Sequence, residues 1–195
     1  MQTTNIQPIT LSLKQAKTYA VASLFIVGNI VLPQLCHLIP QGGLRWLPIY
    51  FFTLTGAFLY GRNVGLLTAL VSPVVNSMLF GMPAAESLPA ILLKSVLLAV
   101  LAGYAASHFR RADLLVLTGI VLGYQGLGTL GEWAMKGDLY LALQDFRIGI
   151  PGMLVQIFGG QPARGSTSTY RLPSSPSYTG RDQLSRPSRV SVRSI

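Results

Sequence analysis

Six stretches of this chain are long, apolar and almost free of charge, and they decide most of what it can fold into. A helix needs roughly 20 mostly apolar residues to cross a hydrocarbon core about 30 Å thick. Residues 16–37, 46–60, 64–80, 88–107, 114–134 and 139–159 meet or approach that length, the second being the shortest. Soluble domains carry about 25% charged residues, whereas here only 11% of the 195 residues are charged. The mean hydropathy is +0.49. Much of the surface must therefore face something other than water, which argues against a soluble enzyme. The pattern predicts an all-α integral membrane protein. Its domain is a six-transmembrane-helix bundle over 16–160, preceded by a short segment, 1–15, and followed by a tail, 161–195.

Lys and Arg concentrate in cytoplasmic loops, and this fixes the expected orientation. With the N-terminus inside, Lys14, Lys17, Arg62, Arg110, Arg111 and the tail arginines all fall on the cytoplasmic side, while the outer loops keep Arg45 and Lys136. The prediction is N-in/C-in. The net charge of +9 invites a nucleic-acid reading, but much of the excess sits in the tail, so no nucleic-acid partner is expected. The N-terminal apolar stretch is too long for the core of a cleaved signal, and no small-x-small pattern follows it. Cys36 is the one cysteine, so no internal disulfide can form.

From Gln161 the chain turns to Ser, Arg and Pro without periodicity. Such a segment cannot bury enough apolar area to offset its ordering, and it reads as disordered. It is either an extension without a role or an attachment to anionic lipid, where each basic residue adds about 1 kcal/mol.

Ionisable side chains inside a bilayer are expensive and mark cavities or pathways by default. Helix rise places Lys94 roughly 9 Å, Arg147 roughly 12 Å and Asn76 roughly 6 Å below the outer ends of the fourth, sixth and third stretches. Gln125 and Glu132 lie in the outer half of the fifth, sharing a face with Thr129 at i, i+4, i+7 spacing. Gly65, Thr68, Ser72 and Asn76 make a small and polar stripe on the third. In the sixth, Gln144 and Arg147 share a face with Tyr140. Asp145 points away from Arg147 and aligns with Gly149, Gly152 and Gln156. Pro151 between two glycines should kink or loosen that helix. The inner half holds almost no comparable groups, and the asymmetry predicts a polar cavity open to the outside. Its substrate-binding residues are expected to be Asn76, Lys94, Gln125, Glu132 and Arg147. Lys94 and Arg147 would favour a carboxylate or other anion. The alternative is that they pair with Glu132 and Asp145 to hold the bundle, with Asn76 and Gln125 as interhelical hydrogen-bond ties. Glu132 could equally lie in a solvated outer loop. Trp46, Trp133, Tyr50 and Tyr140 fall near outer span ends and suit an interfacial belt.

No glycine loop ending in Lys-Ser/Thr is present, so ATP hydrolysis by that route is not expected. Two histidines and one cysteine give no metal-ligand spacing. Nothing frames a catalytic set, so no catalytic residue, metal or cofactor is expected, and the chain reads as a non-enzyme.

The six-helix, N-in/C-in plan with polar groups in its outer half resembles the substrate-binding S components of energy-coupling factor (ECF) transporters. The likeness covers about residues 16–160. Ala16-x-x-x-Ala20 looks like the alanine motif with which S components dock on their transmembrane coupling subunit, although Leu24 stands where a third alanine often falls. Residues 47–81 look like a second and third helix of that group, and QDFRIGIPGMLVQIFGG (144–160) like a sixth. The resemblance implies a substrate-binding subunit for uptake of a vitamin or other micronutrient in the bacterial cytoplasmic membrane. Its partners would be the coupling subunit, two ATPase subunits and membrane lipids. Transport would proceed by toppling of the loaded subunit, driven by ATP hydrolysis elsewhere. The rival readings are a self-contained channel or secondary carrier, which needs a polar stripe through the inner half, and a membrane enzyme or scaffold protein.

Overall fold

The computed structural model describes residues 10–109 and 113–160. The expectations for the tail, and the positions of Arg110 and Arg111, lie outside the described residues. Among the described residues there are nine helices and no strand: α1 (Ala16–His37), α2 (Gly42–Trp46), α3 (Pro48–Tyr60), α4 (Arg62–Phe80), α5 (Leu88–Phe109), α6 (Leu114–Lys136), α7 (Leu139–Ala142), α8 (Gln144–Ile148) and α9 (Ile150–Gly159). Four of them, α1, α4, α5 and α6, are long and apolar enough to cross a membrane. The described residues are thus all-helical apart from turns and connections, with four helices of membrane-crossing length as in a multi-pass membrane protein.

The expected first, third, fourth and fifth spans appear as continuous helices. The other two differ, for local reasons. Leu47 adopts a left-handed conformation with φ 45°, and Pro48 follows at the first position of α3. Proline is favoured there because its fixed φ suits a helix and its missing N–H is not needed. The second stretch therefore yields α2, a turn, and a 13-residue α3, about 20 Å long. The sixth stretch is no single helix. It breaks at Leu143 and again at Gly149, with Pro151 in the first turn of α9. Proline cannot donate to the residue four before it, so α9 starts afresh there instead of continuing α8.

α3 sits between α1, α4, α5 and α9, while α5 packs on α3, α4 and α6. Leu54, Ala57 and Phe58 of α3 meet Leu98, Ala99 and Ala102 of α5 and Leu117, Val121 and Tyr124 of α6 in one core. In lipid, helices associate through close packing because the tails are as apolar as leucine. Small residues supply it here. A Cβ on Gly65 would overlap Ala57, and one on Gly103 would overlap Arg62 backbone. Leu24, Val27, Val31 and Leu35 of α1 stay exposed, the face such a helix would present to lipid.

Candidate functional site

Two buried polar centres form where the apolar helices carry hydrogen-bonding side chains. The first lies between α1, α3 and α4, and it starts from a proline. Pro33 lies inside α1 and has no N–H to give to Asn29, four residues earlier. The freed Asn29 carbonyl accepts a bond from Asn76 Nδ2 at 2.9 Å, and the same nitrogen donates to the Ser72 carbonyl at 3.1 Å. Gln34 Nε2 donates to Asn76 Oδ1 at 3.4 Å. The Asn29 amide in turn reaches Thr53 Oγ1 at 3.0 Å and Ser72 Oγ at 3.5 Å, and its oxygen accepts from the Phe52 N–H. Each amide in this centre is answered, so Asn76 ties α4 to α1.

The second centre lies between α3, α5, α6, α8 and α9, toward the end where α5 begins and α6 finishes. Lys94 is 2% exposed. Its Nζ lies 2.6 Å from Glu132 Oε2 and 2.6 Å from Asp145 Oδ2. Lys136, one turn after Glu132, reaches the other oxygen of that carboxylate at 2.8 Å. Gly128 permits this arrangement, because a Cβ there would overlap the Lys94 stem. Two lysines against two carboxylates leave the group with no net charge. Beside it, Tyr50 and Tyr124 pack with ring centroids 5.3 Å apart, and Tyr124 Oη donates to Gln156 Oε1 at 2.9 Å.

The decisive feature of this centre is what has no partner. Among the described residues, Tyr50 Oη, Ser95 Oγ, both amide atoms of Gln125, Thr129 Oγ1 and Gln156 Nε2 are buried without a hydrogen bond. An unanswered buried polar group costs about 1–3 kcal/mol, and native interiors keep very few. Here they gather around α3, α5, α6 and α9, and all of them are uncharged.

Comparison with family models, curated proteins and solved structures finds no match. The chemistry therefore rests on the geometry of the chain itself.

Of the five expected binding residues, Lys94, Gln125 and Glu132 come together in the second centre, and Asn76 belongs to the first. Arg147 joins neither. It is exposed, with its guanidinium carbon 4.3 Å over the Tyr140 ring. Its expected depth assumed one continuous sixth helix, and the breaks at Leu143 and Gly149 remove that basis. The pairing alternative describes Lys94, whose partners are Glu132 and Asp145, and does not describe Arg147. Glu132 is 8% exposed, so the solvated-loop alternative fails. Trp46, Trp133 and Tyr140 are exposed, as a belt requires, whereas Tyr50 is fully buried in the core. Sequence reasoning did not single out Tyr124, Ser95, Asn29 or Thr53. Asn29 carried a signal, a lone amide four residues before a proline in an apolar run.

Ala16 and Ala20 are exposed at the far end of α1. They line a groove of about 790 Å³ together with Leu11, Gln15, Lys17 and Tyr60.

Proposed function

We propose that this chain is the substrate-binding membrane subunit of an ATP-driven uptake transporter, akin to an ECF S component. It would take a small molecule at the second polar centre from the outside of a bacterial inner membrane. The observation that carries the reading is the set of unpartnered buried atoms on Tyr50, Ser95, Gln125, Thr129 and Gln156. A pocket for a small solute is lined mostly by apolar and aromatic groups with a few placed polar ones, and this centre has that make-up. The Lys94 charge is balanced by two carboxylates and Arg147 lies on an exposed segment, so the free groups ask for an uncharged hydrogen-bonding solute in place of the anion expected from depth alone. Toward the opposite end, Leu98, Ala99, Ala102, Leu117 and Val121 close the bundle with apolar side chains. That supports a binding site closed at one end over a channel or secondary carrier. Ala16 and Ala20, exposed in a groove, suit close approach by a transmembrane coupling subunit that carries two ATPase subunits.

The test is purification in mild detergent, with mass spectrometry of whatever small molecule comes with the protein and a search for a copurifying ATP-binding subunit. A stoichiometric uncharged polar compound, lost in Gln125→Leu, is the expected result. Protein that is folded yet carries no small molecule after expression in rich medium, and brings no ATP-binding subunit, would overturn the proposal.

A further inference from the structure

Residues 138–148 are built differently from the rest of the bundle. They lie between Gly137, which ends α6 in a left-handed conformation with φ 71°, and Gly149, which separates α8 from α9. Their two helices are four and five residues long. Isolated helices of that length have no stability of their own in water. Asp138 caps α7 through the Tyr140 and Leu141 N–H groups at 2.8 and 3.2 Å, a bond within the segment. Leu139, Tyr140, Leu141 and Leu143 are exposed, and α8 has no buried residue. Apart from Ala142, which is buried, and Phe146, which touches the core, little apolar burial holds the segment down.

One contact is of another kind. Asp145 of α8 reaches 2.6 Å from the buried Nζ of Lys94 on α5, where the Lys94 stem crosses Gly128. Gly128 is next to Thr129 and three residues from Gln125, both among the unpartnered groups. α8 otherwise packs against α2, α7 and α9. Breaking a buried pair leaves a charge uncompensated, so a single pair can decide whether a weakly packed segment stays closed. Elements that open locally have few buried apolar contacts, as this one does.

We propose that residues 138–148 form a hinged cover for the second polar centre, pivoting at Gly137 and Gly149 and latched by the Asp145–Lys94 ion pair. The cover controls access to Gln125 and Thr129. It rests on the binding reading above only for what the opening serves.

The experiment places a single cysteine at position 129 (Thr129→Cys with Cys36→Ala) in lipid nanodiscs and follows its reaction with a membrane-impermeant sulfonate thiosulfonate reagent. Asp145→Asn should speed labelling by about tenfold or more, because loss of the latch shifts a local opening equilibrium. Arg147→Met, which removes a charge from the same short helix but leaves the Asp145–Lys94 pair in place, should leave the rate within about twofold. No acceleration by Asp145→Asn, or equal acceleration by both variants, overturns the latch. Should Asp145→Asn fail to fold, hydrogen exchange on the parent decides. Amides of 139–148 should exchange faster than those of α6 and α9, and equal protection overturns the cover. Labelling needs no ligand. A protein that opens on Asp145→Asn but never carries a small molecule refutes the binding reading alone.

Discussion

At the scale of single residues, Lys94 and Gln125 are buried alike and should respond to mutation in opposite ways. Lys94→Met leaves Glu132 and Asp145 facing each other without their shared cation, and removing one partner of a buried pair costs about 3–5 kcal/mol. Arg147→Met removes a charge that lies on an exposed ring, and the expected change is within about 0.5 kcal/mol. Reversible unfolding in mixed detergent micelles compares the two directly, and equal losses would contradict the placement of Arg147 outside the centre. Gln125→Leu should leave the ligand-free protein as stable as the parent or more so, because it deletes two buried polar atoms that have no partner. The same change should abolish retention of the copurified solute. A large loss of stability without ligand would mean that Gln125 is a structural tie after all. The sequence made both residues legible as polar groups in apolar helices. It did not tell them apart, since whether a buried amide is answered depends on which helices become neighbours.

Helix boundaries were legible where a single signal acted alone. α1, α4, α5 and α6 follow their apolar runs to within two residues at each end, because in such runs intrahelical hydrogen bonds satisfy every backbone group. The second stretch misled because apolar composition persists across its break, where a left-handed Leu47 precedes Pro48. In the sixth, Pro151 between two glycines foretold a loosened helix, but the complete breaks at Leu143 and Gly149 depend on tertiary contacts that the sequence does not show. A proline inside a helix has a subtler consequence in α1. Pro33 frees the Asn29 carbonyl, and Asn76 answers it from α4. Asn76→Leu should therefore cost about 1–3 kcal/mol by orphaning that carbonyl. In a Pro33→Ala background the restored N–H can bond Asn29, so the penalty should shrink by roughly 1 kcal/mol. A double-mutant cycle on unfolding reads this coupling. Penalties that add to within about 0.5 kcal/mol would show that the proline plays no part.

Over the whole molecule, the proposed binding centre and the proposed docking groove lie apart along the bundle. Most of the unpartnered polar atoms lie between the middle of α6 and the end where α5 begins, and the groove at Ala16 and Ala20 lies at the other end, where α1 begins. Between them runs an apolar core with alanine and glycine at its closest approaches, so a change at one end has few polar contacts through which to reach the other. This separation makes the docking role testable apart from binding. Ala16 is exposed and takes no part in the core, so Ala16→Trp should fold, keep its solute and unfold within about 0.5 kcal/mol of the parent. Small residues let a partner helix approach closely in lipid, and an indole in the groove prevents that approach. Pull-down of the variant should consequently recover no ATP-binding subunit, whereas Leu24→Trp, one turn past Ala20 and outside the groove, should still recover it. Normal recovery with Ala16→Trp would remove the alanine pair from any docking surface, while leaving the polar centre at the opposite end to be judged on its own.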